Sequence, residues 1–592
     1  MEILLLKQEL NKMPSNIKNK INPFTIEIIK DSLISIGDEM FHALARTSMS
    51  PIIYEVLDYA CGLTDAKGKL VSQGNGVTSF IGMLSPMVQH VLQKFHDGKT
   101  LKQGDIIIIN DPYVGGGSHL SDVGLVMPIF YDGELVAFSA NKGHWTEVGG
   151  KDPGSFTSDS TEIYQEGLQL PGIKLFDEGR LNQAVVDIIE TNVRFPQLSL
   201  GDMWAQIAAL RTGERRFLEL CEKYGKEMVV SSIEHLLQQG EQFAIKELKK
   251  LPMGTYTAKS YIEDDGATGG PFPIQVKVTI TEDEFICDFR GSHPQVISPV
   301  NCSSYALLAS VRVMFLAVIK PSQDVNEGMF LPLKIITDEG SIVSAKRPAP
   351  VSMNFEARMG GADVIWQALA PLLPERLTAG NLLSVCSVVL TGNHQDSNEP
   401  FLIVEPSVGG WGAGKGKDGE RGQFCMGNGE TYNVPIEVAE TRYGVLVEDY
   451  ALRCDGAGLG KYNGGSGVIR SYRALSNNQK LSVNFGRHQF APWGMNSGEN
   501  GSPNYVVIQK ANGETAGPFG ISARFPLDEG DLVQLVTATG GGYGNPYDRP
   551  VEKVVNDVKN GYIPLEKAKE IFGVIINPDN FEVQELMRDR KK

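Results

Sequence analysis

Apolar residues recur along this chain with two different periods, and the periods predict both helices and strands. Between Phe24 and Ser48 they return every three or four positions, which is typical of one face of a long helix, and a second helix is predicted from about Leu84 to His96. The run DIIIIND, residues 105–111, is apolar between turn residues and predicts a buried strand. The segments 123–130 and 134–145, joined by a turn, predict two further strands.

The pattern changes further along the chain. Residues 182–248 have a mainly helical pattern, and from about Phe401 glycine and short strands dominate. We therefore predict an α+β fold, a large mixed α/β multidomain chain with a glycine-rich, β-rich C-terminal region. The predicted regions are 1–250 (strands and helices around the candidate site described below), 251–400 (mixed α/β), 401–549 (glycine-rich β) and 550–592 (a helical C-terminal tail).

Charge and composition exclude several classes of partner and compartment. The net charge is −16, with 71 acidic against 55 basic residues and no basic block, so a nucleic-acid partner is not expected. The longest apolar stretch, from Tyr305, is interrupted by Arg312 and is too short to cross a bilayer. Residues 1–16 lack the basic start and cleavage site of a signal peptide. Seven scattered cysteines without a CxxC motif predict reduced, mostly buried thiols and a cytoplasmic protein.

Metal-ligand side chains cluster around three consecutive glycines in the segment NDPYVGGGSHLSD, residues 110–122. His119 and Asp122 are three residues apart, and His144 follows 22 residues later at the end of a predicted strand. Two imidazoles and a carboxylate suit a divalent ion and leave coordination positions open, as a catalytic site requires. Asp58, before Cys61, is a candidate fourth ligand. HxxD also occurs by chance and lone histidines are often structural, so spacing alone leaves that alternative open.

The glycine-rich segments do not predict a nucleotide site. The GGGSH segment lacks the lysine and the spacing of a phosphate-binding loop, and the glycine clusters near residues 409–422 and 456–465 are typical of tight turns. No nucleophilic serine motif is present either. We expect Asn110 and Asp111 to fix their loop through backbone hydrogen bonds, and Asp264 and Asp265 to form a turn.

Several long motifs, in order, resemble one family. The chain is similar, from about Asn22 to Arg549, to the B subunits of ATP-dependent hydantoinases, oxoprolinases and lactamases, which are themselves similar to an acetone carboxylase subunit. The motifs that carry this resemblance are DYACGLTDAKGKLVSQG, GDIIIINDPYVGGGSHLSDVGLVMPIF, NKGHW, DFRGSHPQVISPVNC, NEGMFLPLKII and VLVEDYALRCDGAGLGKYNGGSGVIR.

The resemblance implies a two-component enzyme. A partner A subunit would bind ATP and magnesium and phosphorylate the carbonyl oxygen of a small cyclic amide. This chain would hold a divalent metal, namely zinc, manganese or iron, on His119, Asp122 and His144, and hydrolyse the activated amide as part of a dimer of heterodimers. Asp58 matches a nearby acidic position, as a fourth ligand or, like Asp122, as a catalytic carboxylate that orients or deprotonates water.

Two points qualify what the resemblance implies. Many relatives have a histidine where this chain has Phe80. The alternative activity within the family is an ATP-dependent acetone or acetophenone carboxylase, although acetone carboxylase subunits of this type tend to be longer than 592 residues.

Overall fold

A computed structural model of the chain describes residues 22–321, 324–429 and 431–587, and these residues form helices and several sheets. The predicted α+β fold is confirmed. The prediction about residues 1–16 lies outside the described part of the chain. The region boundaries at residues 250, 400 and 549 stay predictions.

Helices and strands both occur from the beginning to the end of the described chain. The helices are α1 (Pro23–Thr47), α2 (Pro51–Tyr54), α3 (Thr78–Lys94), α4 (Gln183–Asn192), α5 (Pro196–Tyr224), α6 (Lys226–Leu248), α7 (Ser304–Ile319), α8 (Phe355–Leu369), α9 (Ile436–Arg442), α10 (Val551–Lys559) and α11 (Leu565–Glu570). The strands of the first half are β1 (Tyr59–Asp65), β2 (Leu70–Gly76), β3 (Ile106–Ile109), β4 (Asp122–Tyr131), β5 (Glu134–His144), β6 (Pro171–Asp177), β7 (Arg180–Leu181), β8 (Gly254–Ile262), β9 (Phe272–Ile280) and β10 (Phe285–Asp288). The remaining strands are β11 (Leu333–Ile336), β12 (Ser387–Asn393), β13 (Pro400–Glu405), β14 (Val445–Arg453), β15 (Gly467–Ala474), β16 (Gln479–Asn484), β17 (Tyr505–Gln509), β18 (Thr515–Phe519), β19 (Ile521–Leu527), β20 (Leu532–Val536), β21 (Val574–Ile576) and β22 (Val583–Leu586).

The first sheet carries the candidate site. It has the order β2-β1-β5-β4-β3-β6-β7, and its paired strands are antiparallel. The four isoleucines of β3 alternate between two hydrophobic clusters, one that includes residues of α5 and one that includes residues of α3. Helices therefore cover both faces of this antiparallel sheet, which is why β3 is continuously apolar, as predicted.

The middle of the chain packs a helical pair onto a second sheet. This sheet has the order β11-β10-β9-β8, in which only the β10–β11 pair is parallel. Helix α8 contacts both α7 and the strands β8 and β9, and α7 in turn packs on α3. This chain of contacts brings α8, which is far away in sequence, close to the first sheet.

The glycine-rich region forms two further sheets, with the orders β13-β12-β16-β19 and β14-β15-β20-β17-β18. The tail departs from the prediction of a mostly helical segment. After the short helices α10 and α11, the strands β21 and β22 form an antiparallel pair. The β-branched run Val574–Ile576 favours the extended conformation and packs in a small cluster with residues of α10 and α11. Residues 588–592 lie outside the described part.

Two helix boundaries also differ from the sequence pattern. Helix α3 begins at Thr78, six residues before the expected start near Leu84, because its first turn is joined to another segment by hydrogen bonds from Thr78 and Ser79. The helical segment up to Leu248 is broken at Gly225, whose φ of +84° suits a glycine between two helices. In the described ranges we find no helix both long and apolar enough to span a bilayer. Six of the seven cysteines are buried, as predicted, and Cys454 is exposed.

Candidate metal centre

His119, Asp122 and His144 converge at one end of the first sheet. Asp122 is the first residue of β4 and His144 is the last residue of β5, and the two are directly opposite each other in the strand pairing. His119 lies in the irregular turn before β4, rather than on a helix. One potential ligand atom of each residue lies within 4.8 Å of the other two. The sequence predicted this convergence, and β-strand pairing rather than a helical turn produces it.

All three side chains are buried, and each has an atom without a hydrogen bond. Asp122 is fully buried, and His119 and His144 are 6% and 5% exposed. Within residues 22–321, 324–429 and 431–587, nothing forms a hydrogen bond with His119 Nδ1, His144 Nδ1 or Asp122 Oδ1. Buried polar atoms are normally paired, so unpaired atoms on three adjacent ligand-type side chains fit a site for a divalent ion.

The second oxygen of Asp122 is held by its own turn. Asp122 Oδ2 accepts hydrogen bonds from the backbone N–H of Ser118 at 2.8 Å and from the Ser118 hydroxyl at 2.6 Å. Asp122 Oδ1 lies 3.3 Å from His119 Nε2. One carboxylate oxygen is therefore fixed by the protein while the other faces the imidazoles, an arrangement that orients a metal-ligating carboxylate.

The consecutive glycines allow this turn to fold tightly. Gly115 has a φ of +85°, in the left-handed region that favours glycine. A Cβ atom on Gly117 would collide with the backbone carbonyl oxygens of Asn110, His119 and Asp122. The glycines therefore serve the close approach of the backbone that places His119 beside Asp122.

A buried glutamine on α5 ties the ends of β4 and β5 together. Gln206 Nε2 donates to the carbonyl oxygen of Val123 at 2.9 Å, and Gln206 Oε1 accepts from the indole N–H of Trp145 at 2.8 Å. Val123 and Trp145 are the sequence neighbours of Asp122 and His144. Gln206 thus fixes the two strand ends relative to each other, and the sequence analysis did not identify it.

Asp58 lies in the same cavity but outside the close group of three. It directly precedes β1, is partly buried, and its backbone carbonyl accepts a 2.9 Å hydrogen bond from the His144 N–H. Burial and the negative charge of Asp122 raise the pKa of Asp58 to about 7. Its assignment as a ligand or as a catalytic carboxylate stays a prediction.

The electrostatics of the group suit metal binding. Burial acts to raise the pKa of Asp122, but His119 and His144 outweigh it and hold that pKa well below its usual range, so the carboxylate is ionised. Burial, together with His119, lowers the pKa of His144 to about 3 and keeps that ring neutral. Burial acts to lower the pKa of His119 as well, but Asp122 outweighs it and raises that pKa, so a bound metal ion would have to displace a proton from this ring. Ionised carboxylates and neutral imidazoles are the forms that bind metals.

The centre lines a cavity of about 50 Å³, which has room for an ion and a few further atoms. Its wall includes residues from distant parts of the chain that the sequence analysis missed, among them Arg358 of α8, Glu405 of β13 and Asn428. Phe80 also lines it. A larger cavity of about 470 Å³ shares the wall residues Ile52 and Val404 with the smaller one.

The residues predicted to be structural have structural roles. Asn110 donates to the carbonyls of Leu120 and Leu168 and accepts from the N–H of Leu170. The Asp111 carboxylate accepts from the N–H of Tyr113, as expected of a loop-fixing residue.

The aspartate pair after β8 also forms the predicted turn. Asp265 Oδ1 accepts from the N–H groups of Ala267, Thr268 and Gly269. Asp264 in addition lies 2.7 Å from His488 Nε2.

Comparison with known proteins shows which family the chain is similar to. Residues 22–546 match the family described as hydantoinase B/oxoprolinase. A putative D-/L-hydantoinase B subunit of Pseudomonas sp. (strain NS671) is 34% identical over 585 residues, which are 96% of this chain and 97% of that protein.

Two solved structures are also similar. The crystal structure of an ATP-dependent caprolactamase from Pseudomonas jessenii has a TM-score of 0.89 at 28% identity and covers 96% of this chain and 99% of that one. A nucleotide-free acetone carboxylase structure has a TM-score of 0.89 at 18% identity, covering 96% and 82% of the two chains, which shows a shared fold. The chain belongs to the hydantoinase B/oxoprolinase family.

Proposed function

We propose that this chain is the metal-bearing B subunit of an ATP-dependent cyclic-amide hydrolase that acts on a hydantoin, 5-oxoproline or a lactam. The observation that carries the proposal is the buried group of His119, Asp122 and His144, each with an unpaired atom, in a chain of this family. Two imidazoles and a carboxylate suit zinc, manganese or iron. A bound ion of this kind lowers the pKa of a bound water towards about 7 and so supplies hydroxide at neutral pH.

The partner's contribution is to activate the amide. A cyclic amide is stabilised by resonance and resists water, whereas transfer of a phosphoryl group from ATP to its oxygen gives an electrophilic carbon and a good leaving group. In this scheme water adds to that carbon, the ring C–N bond breaks as the nitrogen takes up a proton, and a second water then releases phosphate from the acyl phosphate that is left. ATP and magnesium belong to the partner, an A-type ATP-binding subunit, because this chain has no phosphate-binding motif in its sequence.

The chain's own residues orient the reaction. Asp122 and the two histidines hold the ion, and Ser118 and Gln206 fix their positions. Asp58 lines the cavity outside the close group, so we assign it to orient the attacking water and accept its proton. His119, Asp122 and His144 are buried, which limits the access of bulk water to a phosphorylated intermediate at this site.

The substrate's ring needs more space than the small cavity offers. The neighbouring cavity of about 470 Å³ lies within the range of volumes that hold small ligands, and it shares Ile52 and Val404 with the metal centre. Apolar side chains such as Phe195, Leu198 and Phe401 line it. We place the ring and its side group there, with the amide on the side of Ile52 and Val404.

The test is a screen of the reconstituted pair, in the proposed dimer of heterodimers, for substrate-dependent ATP cleavage. Hydantoins, 5-oxoproline and lactams are offered alone, and acetone and acetophenone are offered with bicarbonate. We expect ATP cleavage coupled to ring opening of a cyclic amide, and no ATP turnover by this chain alone. Carboxylation of a ketone, with no cyclic amide opened, would replace the hydrolase with the carboxylase. ATP turnover by the isolated, pure chain would contradict the proposed division of labour.

A further inference from the structure

Arg358 lies in the wall of the metal-centre cavity, and two of its guanidinium nitrogens have no hydrogen-bond acceptor in the described residues. It is on α8, is 5% exposed, and lines the same small cavity as His119, Asp122 and His144. Among the residues that the structure describes, no group accepts a hydrogen bond from Arg358 Nε or Nη1. A guanidinium has five donors and cannot readily lose its proton, so burying it without acceptors is costly.

The other buried arginines of the described residues each form at least one hydrogen bond, although Arg312 Nε and Arg470 Nε and Nη1 have no acceptor. Each donates to a carboxylate or a backbone carbonyl; these residues are Arg312, Arg453, Arg470, Arg487 and Arg549. In Arg487, for example, Nη2 lies 2.6 Å from Asp363 Oδ2. Among the buried arginines of the described residues, Arg358 is therefore the one for which no hydrogen bond or ion pair is found.

The surroundings of Arg358 favour an anion that comes from outside the chain. The nearest charged groups that act on it include Asp122 and Asp58, but neither forms an ion pair with it at bonding distance in the described ranges. Asp122 already accepts a hydrogen bond from Ser118 and lies beside His119. A second buried cation, Lys142, has its Nζ 3.4 Å from the carbonyl oxygen of Gly115. With a divalent ion bound, the ion, Arg358 and Lys142 would outweigh the negative charge of Asp58, Asp122 and Glu405, so the cavity would attract an anion.

The number of oxygen atoms distinguishes a phosphoryl group from a carboxylate. A ligand that contacts the planar guanidinium through two oxygens and also reaches the metal centre needs at least three oxygens. A phosphoryl group has them, whereas a carboxylate has two. We propose that Arg358 binds the phosphoryl group of the activated substrate and holds it beside the metal centre until it leaves as phosphate. This inference rests on the proposed function.

Binding of inorganic phosphate to the full chain tests this directly. Calorimetry at constant ionic strength compares the wild type with Arg358→Met and Arg358→Lys, and with the control Arg290→Met, which removes an exposed guanidinium. We expect phosphate to bind the wild type and the control equally. The affinity should fall about tenfold or more in Arg358→Met, because two charge-assisted hydrogen bonds are lost, and by less in Arg358→Lys, which keeps the charge.

Thermal unfolding separates this role from a structural one. Because the guanidinium is buried without partners, Arg358→Met should unfold at the same temperature as the wild type or higher, whereas Arg487→Met, which breaks a buried ion pair, should unfold at a lower one. The proposal is overturned if the wild type binds no phosphate, if Arg358→Met keeps wild-type phosphate affinity, or if acetate binds as tightly as phosphate.

Metal analysis of the same samples distinguishes this proposal from the proposed function. Phosphate binding that depends on Arg358 in a chain that takes up no divalent ion would reject the metal centre and keep the phosphoryl site. A chain that holds the ion but binds phosphate independently of Arg358 would reject the phosphoryl site and keep the metal centre.

Discussion

Asp122 and His144 face each other across β4 and β5, as the first residue of one strand and the last residue of the next. Strand pairing therefore fixes two of the three proposed ligands, and the turn that carries His119 supplies the third. A site built on paired strands is positioned more rigidly than one built on loops alone.

The first prediction concerns metal content. His119→Ala and His144→Ala should each release the divalent ion, because two ligand atoms bind it far more weakly than three. Elemental analysis of the purified chain should find about one ion per wild-type chain and little in either variant. His90→Ala, which changes a partly buried histidine outside this cavity, should keep the ion. Undiminished metal in both ligand variants would disprove the site.

The second prediction concerns Gln206, which links the ends of β4 and β5 through hydrogen bonds. Gln206→Leu should lower the free energy of unfolding by about 2–5 kcal/mol, because the Val123 carbonyl and the Trp145 indole N–H lose buried hydrogen bonds. It should also weaken metal binding, since it loosens the ends that carry Asp122 and His144. Urea denaturation and metal titration measure the two effects, with the exposed Gln395→Ala as control. An unchanged metal affinity would show that the strand ends hold their geometry without Gln206.

The sequence predicted those site residues that lie close together along the chain, and missed those that only tertiary packing brings to the cavity. His119, Asp122 and His144 lie within one local run of strand and turn, so spacing and strand pattern were enough to bring them together. Arg358, Glu405 and Asn428 reach the cavity only through packing of α8 and of the glycine-rich sheets, which no local pattern encodes. The helix that carries Arg358 also contains Glu356 and Asp363, so its sequence did not single out Arg358.

Secondary structure shows the same limit. The apolar run of β3 was long and bounded by turn residues, and it was predicted correctly. The start of α3 and the strand pair of the tail depend on contacts with other segments, and both were predicted differently.

The third prediction concerns pH. His488 Nδ1 lies 3.1 Å from Glu263 and Nε2 lies 2.7 Å from Asp264. Burial acts to lower the pKa of His488, but the two carboxylates outweigh it and raise that pKa from 6.5 to about 10. A folded-state pKa above the unfolded value means that this stabilisation is complete below pH 6.5 and is lost as the pH rises towards 10.

Urea denaturation across that pH range checks the effect. His488→Gln should be less stable than the wild type by a few kcal/mol, on the order of 1.4 kcal/mol per pKa unit, at pH values below this range, and the difference should shrink as the pH rises. His394→Gln, in the loop after β12, should show no such trend. A difference between wild type and His488→Gln that grows with pH would contradict the assignment of a protonated imidazole.

The most direct test of the whole account is Asp122→Asn in the assembled complex with the ATP-binding partner. The asparagine oxygen can keep the hydrogen bonds from Ser118 while the ion loses a negative ligand, so the turn and the assembly should persist as the power to ionise water falls. Substrate-dependent ATP cleavage and ring-opened product are measured on the same sample. The account predicts an intact complex that forms no ring-opened product; full product formation with normal coupling to ATP would show that the chemistry lies elsewhere.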